Sequence, residues 1–393
     1  MTPLGALTVG ALAVVALAVV ACGPSVDPGP GATSPSTAQG SAPSSSASAS
    51  EPGSCRPAPL EARAATVLMV GIGDSSTAEE ARAAEVSALG VGGVIMFGSN
   101  VVDATQVRDL IDGLRQRAPR PLLVSVDEEG GRVSRLRPIL GPTPSARTLG
   151  QRPLAEIADV AAERGATLRD LGFDLVLAPV ADAEQGAAGA AIGDRSFAST
   201  PGEAGERAGA FVEGVGRAGM AATVKHFPGQ GDLPDSHEGP VVSEVAFDEL
   251  VTAADAGFRP AIVAGAPAVM LSHVTFPALG PLPASVEPAA YRLLRSFGFD
   301  GVAVTDDLNM SAISQQWPLA EAAVMALVAG ADLVVATPGQ KAAALRDAIV
   351  AAVEAGRLPE ARLDEAVARV SALKGEDRAT LVCPAQGQDP PRA

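Results

Sequence analysis

From residue 62 onward, short β-branched runs alternate with longer alanine-rich stretches whose apolar residues recur at three- and four-residue spacing. That alternation is the signature of β-α-β units, and so of a parallel sheet covered by helices. The runs span residues 66–72, 92–98, 121–127, 173–180, 221–227, 268–274, 301–307 and 331–337. Eight such units over about 310 residues predict an α/β fold, a (β/α)8 TIM-type barrel in a single domain, with the last helix near 359–374. An open doubly wound sheet is the alternative. Barrels of this kind gather polar residues at the C-terminal ends of their strands. Here those ends carry Asp127, Lys225, His226, His273 and Asp306, with Asp182 just beyond the fourth run. Each alone could be a satisfied buried polar group, but six at one rim predict a site.

The core must be aliphatic, because hydrophobic residues make up 47% of the 393-residue chain and aromatic ones only 3%. A formal charge of −16 without any basic run speaks against nucleic acid or an anionic membrane surface as a partner. No P-loop, HExxH or zinc-spaced Cys/His quartet occurs, so neither a metal nor another cofactor is expected. Gly214, Gly216 and Gly219 spell G-x-G-x-x-G, yet they close a helix and precede a strand, the reverse of a dinucleotide fingerprint.

The chain ends carry a different message. Residues 1–21 are apolar without an acidic residue, and Val19-Val20-Ala21-Cys22 resembles the lipobox of bacterial lipoproteins. A signal peptide over 1–21 and a lipidated Cys22 are expected; an uncleaved anchor helix is the alternative. Either places the remaining chain outside the cytoplasm, held to the cell membrane. Residues 22–54, rich in Ser, Ala, Pro and Gly, cannot form a core and are expected to be a disordered tether. The folded domain is expected over 55–385 and a flexible tail over 386–393. Cys55 and Cys383 bracket that domain in an exported chain where thiols oxidise, which predicts a disulfide between them, with two free thiols as the alternative.

The densest chemistry lies in residues 225–237, KHFPGQGDLPDSH, which hold two of the three histidines, one of the three lysines and two carboxylates. The segment directly follows an apolar run, as a strand emptying polar side chains into a site would.

In order along the chain stand VDEEGGRVSRL, APVAD, IGDRSF, KHFPGQGD followed by DSH, MLSHVTFPAL and GFDGVAVTDDLNM. With these motifs, residues 64–375 resemble the bacterial β-N-acetylglucosaminidases of glycoside hydrolase family 3, single-domain barrel enzymes that remove terminal N-acetylglucosamine from peptidoglycan fragments. The resemblance implies a retaining exo-enzyme working through a covalent glycosyl-aspartate. It assigns the acid/base role to a loop-borne Asp-x-His pair, here Asp235 and His237. An imidazole titrates near neutral pH and can donate, then accept, a proton; the carboxylate beside it would orient the ring. Successive side chains on a strand face opposite ways, so only one of Asp306 and Asp307 should meet the sugar. The family pattern selects Asp306 as nucleophile. Sugar contacts carry over to Asp127, Arg135, Arg195, Lys225 and His226. Two departures stand out: Gln230 replaces the family's usual histidine, and the loop from His226 to Asp235 is about one residue short.

The expected partners are an oligosaccharide or muropeptide substrate and the membrane through the lipid anchor, with a monomeric chain. Phosphorolysis is a competing reading, since a histidine acid/base carries no negative charge to repel phosphate. A tethered saccharide-binding lipoprotein without turnover is another.

Overall fold

The computed structural model describes residues 57–185 and 191–383. Cys22, Cys55, and the expected signal peptide, tether and tail lie outside these residues. Cys383, the last described residue, is disulfide-bonded.

Eight parallel strands form one sheet: β1 (Leu68–Gly71), β2 (Gly93–Met96), β3 (Leu123–Val126), β4 (Leu175–Val176), β5 (Ala221–Phe227), β6 (Ala268–Leu271), β7 (Val302–Thr305) and β8 (Val334–Ala336). Their order is β7-β6-β5-β4-β3-β2-β1-β8. A parallel bridge between Val304 and Leu333 joins the two outer strands. Thr305 N–H donates to Leu333 O at 3.1 Å and Leu308 N–H to Val335 O at 3.0 Å, so the sheet closes on itself. The fold is the expected (β/α)8 barrel rather than an open sheet.

One helix follows each strand: Ala81–Leu89, Ala104–Arg117, Leu154–Asp170, Pro201–Arg217, Phe247–Val263, Pro288–Ser296, Leu319–Ala329 and Ala342–Glu354. The helix expected near 359–374 is Glu360–Leu373. It adds to this ring and is not its eighth member. Its Val370 packs with Met69, Leu175, Val302 and Leu333 from the barrel interior, which plugs the N-terminal mouth. Beneath it Asp332 is fully buried and bonded to Arg295 (2.6 Å), Arg362 (2.5 Å) and Arg369 (3.2 Å). Glu365 also bonds Arg362 and Arg369, so these charges are tied to one another in place, and the closed end is built for structure while the open end is left for chemistry.

The period of two along β1 shows how the sequence builds two cores. Leu68 and Val70 face the helices, while Met69 faces inward to Ile95, Leu177, Met270 and Val335. All are buried and aliphatic, as the shortage of aromatics requires. The G-x-G-x-x-G run has a packing explanation. A Cβ on Gly214 would lie 2.1 Å from Ala158 O, so only glycine lets helices Leu154–Asp170 and Pro201–Arg217 approach this closely. Gly219 then takes φ +69° in the turn into β5.

Candidate active site

All eight residues assigned from sequence to catalysis or sugar contact (Asp127, Arg135, Arg195, Lys225, His226, Asp235, His237 and Asp306) line one cavity of about 190 Å³ at the C-terminal mouth of the barrel. Its apolar lining includes Ile95, Leu177, Met270 and Val335, the uppermost layer of the interior core. The core therefore serves as the floor of the cavity.

β5 delivers the central pair. Its register against β6 shifts between Lys225 and Phe227, beside a cis Lys225–His226 peptide, and both side chains reach the cavity. Lys225 Nζ bonds Asp127 Oδ1 at 2.6 Å and Glu129 Oε1 at 2.7 Å. Glu129 in turn takes a bidentate pair from Arg195, with Nε to Oε2 at 2.8 Å and Nη2 to Oε1 at 2.9 Å. Arg195 Nη2 stands 3.4 Å from His226 Nε2, and His226 Nδ1 lies 2.7 Å from Asp182 Oδ2. Arg135 is more loosely held, 3.9 Å from Asp127 and 6.0 Å over the Phe97 ring.

This network fixes its own charge states. Burial alone would raise the Glu129 carboxyl, but the charges of Lys225 and Arg195 outweigh it and hold Glu129 far below the ordinary range. Burial would likewise discharge Lys225, and the neighbouring Asp127 and Glu129 reverse that, holding it above its usual value. Both cations stay charged and aim at the cavity.

Strand alternation does not separate Asp306 from Asp307. β7 ends at Thr305, so both aspartates lie beyond the pleat, and both line the cavity. Hydrogen bonding separates them instead. Asp307 Oδ1 accepts the N–H groups of Asn309 and Thr337, each at 3.0 Å, and Oδ2 accepts the Thr337 hydroxyl at 2.5 Å. Its carboxyl is thereby occupied, and burial pushes it above the ordinary aspartate range. Asp306 accepts only the Asp307 N–H, at 2.8 Å, among the described residues. Burial would raise Asp306 too, but the imidazoles of His226 and His273, that N–H and Lys225 together hold it below the ordinary range. Of the two carboxylates, Asp306 is the one kept anionic and available.

The loop after β5 carries the last pair. His237 Nδ1 lies 2.6 Å from Asp235 Oδ1, which also accepts the His237 backbone N–H at 2.9 Å. The His237 side chain is 67% exposed, as a group working at a cavity mouth requires. Burial would raise Asp235, but its two bonds from His237 outweigh it and keep the carboxyl below its usual range.

Sequence reasoning passed over Glu129, the residue that ties Lys225 to Arg195. The signal was present in the Asp-Glu-Glu run after β3, where three consecutive carboxylates leave a parallel strand. Asp182 and His273 were visible at the rim without a role. Asp182 holds His226, and His273 bridges Ser285 Oγ at 2.7 Å and the Asp307 carbonyl at 2.9 Å, bracing the turn that bears Asp306.

Residues 60–373 match the model of the glycosyl hydrolase family 3 N terminal domain. The chain is 38% identical over 365 residues to the beta-hexosaminidase LpqI of Mycobacterium tuberculosis, covering 87% of this chain and 92% of that protein. A beta-hexosaminidase of Stenotrophomonas maltophilia is 38% identical over 257 residues, 63% of this chain and 76% of the other. Among solved structures, a glycoside hydrolase family 3 beta-N-acetylglucosaminidase from a Paenibacillus species superposes with a TM-score of 0.76 at 36% identity, over 84% of this chain and 65% of that one. The structure of M. tuberculosis LpqI gives 0.74 at 38% identity, over 81% and 94% of the two chains.

Proposed function

The chain belongs to glycosyl hydrolase family 3, and on that premise we propose that it is a retaining exo-β-N-acetylglucosaminidase that removes terminal β-linked N-acetylglucosamine from cell-wall saccharides. The observation that carries this reading is the pairing, around one cavity, of a carboxylate held anionic, Asp306, with an exposed Asp235–His237 pair. Asp306 attacks the anomeric carbon while His237 gives its proton to the leaving oxygen, and a glycosyl-aspartate forms. His237, now neutral, takes a proton from water, which attacks the same carbon and releases the sugar with net retention. The anionic Asp235 orients the ring and favours its charged form. Lys225, Arg195, His226, Asp127 and Arg135 hold the sugar hydroxyls and substituents. The aliphatic floor, with the interior core packed beneath it, favours a chain end over an internal sugar.

The reading is tested by incubating the domain from residue 55 onward with chromogenic β-N-acetylglucosaminides and β-glucosides, with and without inorganic phosphate. Free N-acetylglucosamine at the same rate in both media is expected. A sugar phosphate would replace hydrolysis by phosphorolysis, and binding without turnover would sink the enzymatic reading.

A second expected result concerns the acid. His237→Ala should lose most activity, roughly 10²–10⁴-fold, on saccharides with poor leaving groups. On aryl glycosides that leave without a proton the loss should be far smaller. Equal losses on both would remove His237 from the acid role.

We also propose that the chain is exported and anchored through lipid on Cys22, which rests on residues 1–22 alone. Cys22→Ala should move the protein from the membrane to the soluble fraction with a loss of the lipid mass. Retention at the membrane would overturn the anchor.

A further inference from the structure

The loop that carries Asp235 and His237 is pinned at several points, and the first pin is the residue at which this chain departs from its family's usual histidine. Gln230 is 5% exposed. Its backbone N–H donates to Asp182 Oδ1 at 2.6 Å, and its side-chain Nε2 donates to Pro234 O at 3.3 Å. Since a carbonyl only accepts, that bond orients the amide with nitrogen toward Pro234. Pro234 immediately precedes Asp235. Further along, Ser236 is buried and its carbonyl accepts the N–H of Ala312, in the short helix Ser311–Ser314 of the connection after β7 that also bears Asp306. Asp182, the anchor of Gln230, simultaneously receives His226 N–H and lies against His226 Nδ1. One buried carboxylate thus ties the sugar pocket to the root of the acid/base loop.

Behind the loop lies a second cavity of about 330 Å³, lined by Phe258, Phe276, Leu250 and Asp232, and Gln230 borders both cavities. The segment from Pro228 to Leu233 lines this second cavity, and within it Gln230 alone also reaches the first, so there is space behind the segment into which an unpinned loop can fall back. We propose that Gln230 is the positioning residue that sets the reach of the acid/base loop, clasping Pro234 to Asp182 so that His237 stands over the leaving group. This rests on the proposed acid role of His237. An amide suits the task because it donates at every pH, whereas an imidazole in its place would titrate near neutrality and weaken or tighten the clasp with pH.

The test compares wild type, Gln230→Leu and Gln230→His in the domain from residue 55 onward. Aryl β-N-acetylglucosaminides of graded leaving-group acidity provide the kinetic readout, and amide hydrogen exchange over residues 230–238 the structural one. Gln230→Leu should lower kcat by about 10–100-fold on poor leaving groups, with KM nearly unchanged and little loss on the best ones. Its loop amides should exchange faster. Gln230→His should recover much of the rate and add an ionisation near neutral pH to the kcat profile. Unchanged loop exchange in Gln230→Leu overturns the clasp, as do losses equal across the whole series. Exchange reads the clasp without turnover, so a wild type inactive on every N-acetylhexosaminide sinks the proposed function and leaves the clasp separately decided. If Gln230→Leu fails to fold, Gln230→His carries the same two readouts, and a kcat profile with no ionisation beyond those of the wild type, together with wild-type exchange, overturns the proposal.

Discussion

Asp306→Asn should abolish turnover, by on the order of 10⁵-fold or more, with the fold intact, because one oxygen becomes a nitrogen at nearly constant volume and only the Asp307 N–H bonds that carboxylate among the described residues. Asp307→Asn should cost far less, about tenfold, since the Asp307 carboxyl serves to accept from Thr337 and Asn309, and an amide keeps an oxygen for the two N–H groups. A substrate analogue that slows deglycosylation should leave one sugar on the protein, mapped to Asp306. The pH profile carries the same signature. Asp306 must be ionised to attack and its carboxyl is held below the ordinary aspartate range. The acid limb of kcat/KM assigned to it should therefore fall below about pH 3.9, the unperturbed value. Label on Asp307, or a product of inverted configuration, would overturn the assignment.

Those two aspartates also mark where sequence reasoning works and where it stops. The barrel was legible because eight buried parallel strands write themselves as apolar runs, and because Lys225, His226 and Asp306 sit at or just past strand ends. The choice between Asp306 and Asp307 was not, since strand alternation presupposes a strand, and β7 has ended by Thr305. What separates them is Thr337, thirty residues on and one strand over, which no local pattern ties to Asp307. The helix Glu360–Leu373 was visible, but its role as a plug depends on Val370 meeting Met69 and Leu333 across the barrel. Gln230 looked like a departure from a motif; its bond to Asp182, forty-eight residues earlier, makes it part of the loop's framework. In each case local chemistry was readable and long-range partnership was not.

Glu129 is the strongest instance, and its replacement should have the largest effect on stability. It is buried with two cations on it, Lys225 Nζ at 2.7 Å and Arg195 through two bonds. Glu129→Gln keeps the shape but removes the charge that offsets two desolvated cations, and breaking a buried pair in this way costs about 3–5 kcal/mol. A fall in Tm on the order of 10 °C should accompany it. Because Lys225 and Arg195 then lose their fixed positions at the sugar, kcat/KM should drop by about 10²-fold, chiefly through KM. The pH dependence of stability gives an independent check. The folded carboxyl of Glu129 is held below its unfolded value of about 4.3, so its contribution is fully present above that pH and lost as pH falls through the depressed folded value. Between about pH 5 and the acid transition the wild type should therefore lose stability more steeply than Glu129→Gln, and the two curves should converge at low pH. Parallel curves, or a variant with unchanged Tm and KM, would mean that Glu129 is dispensable to the network.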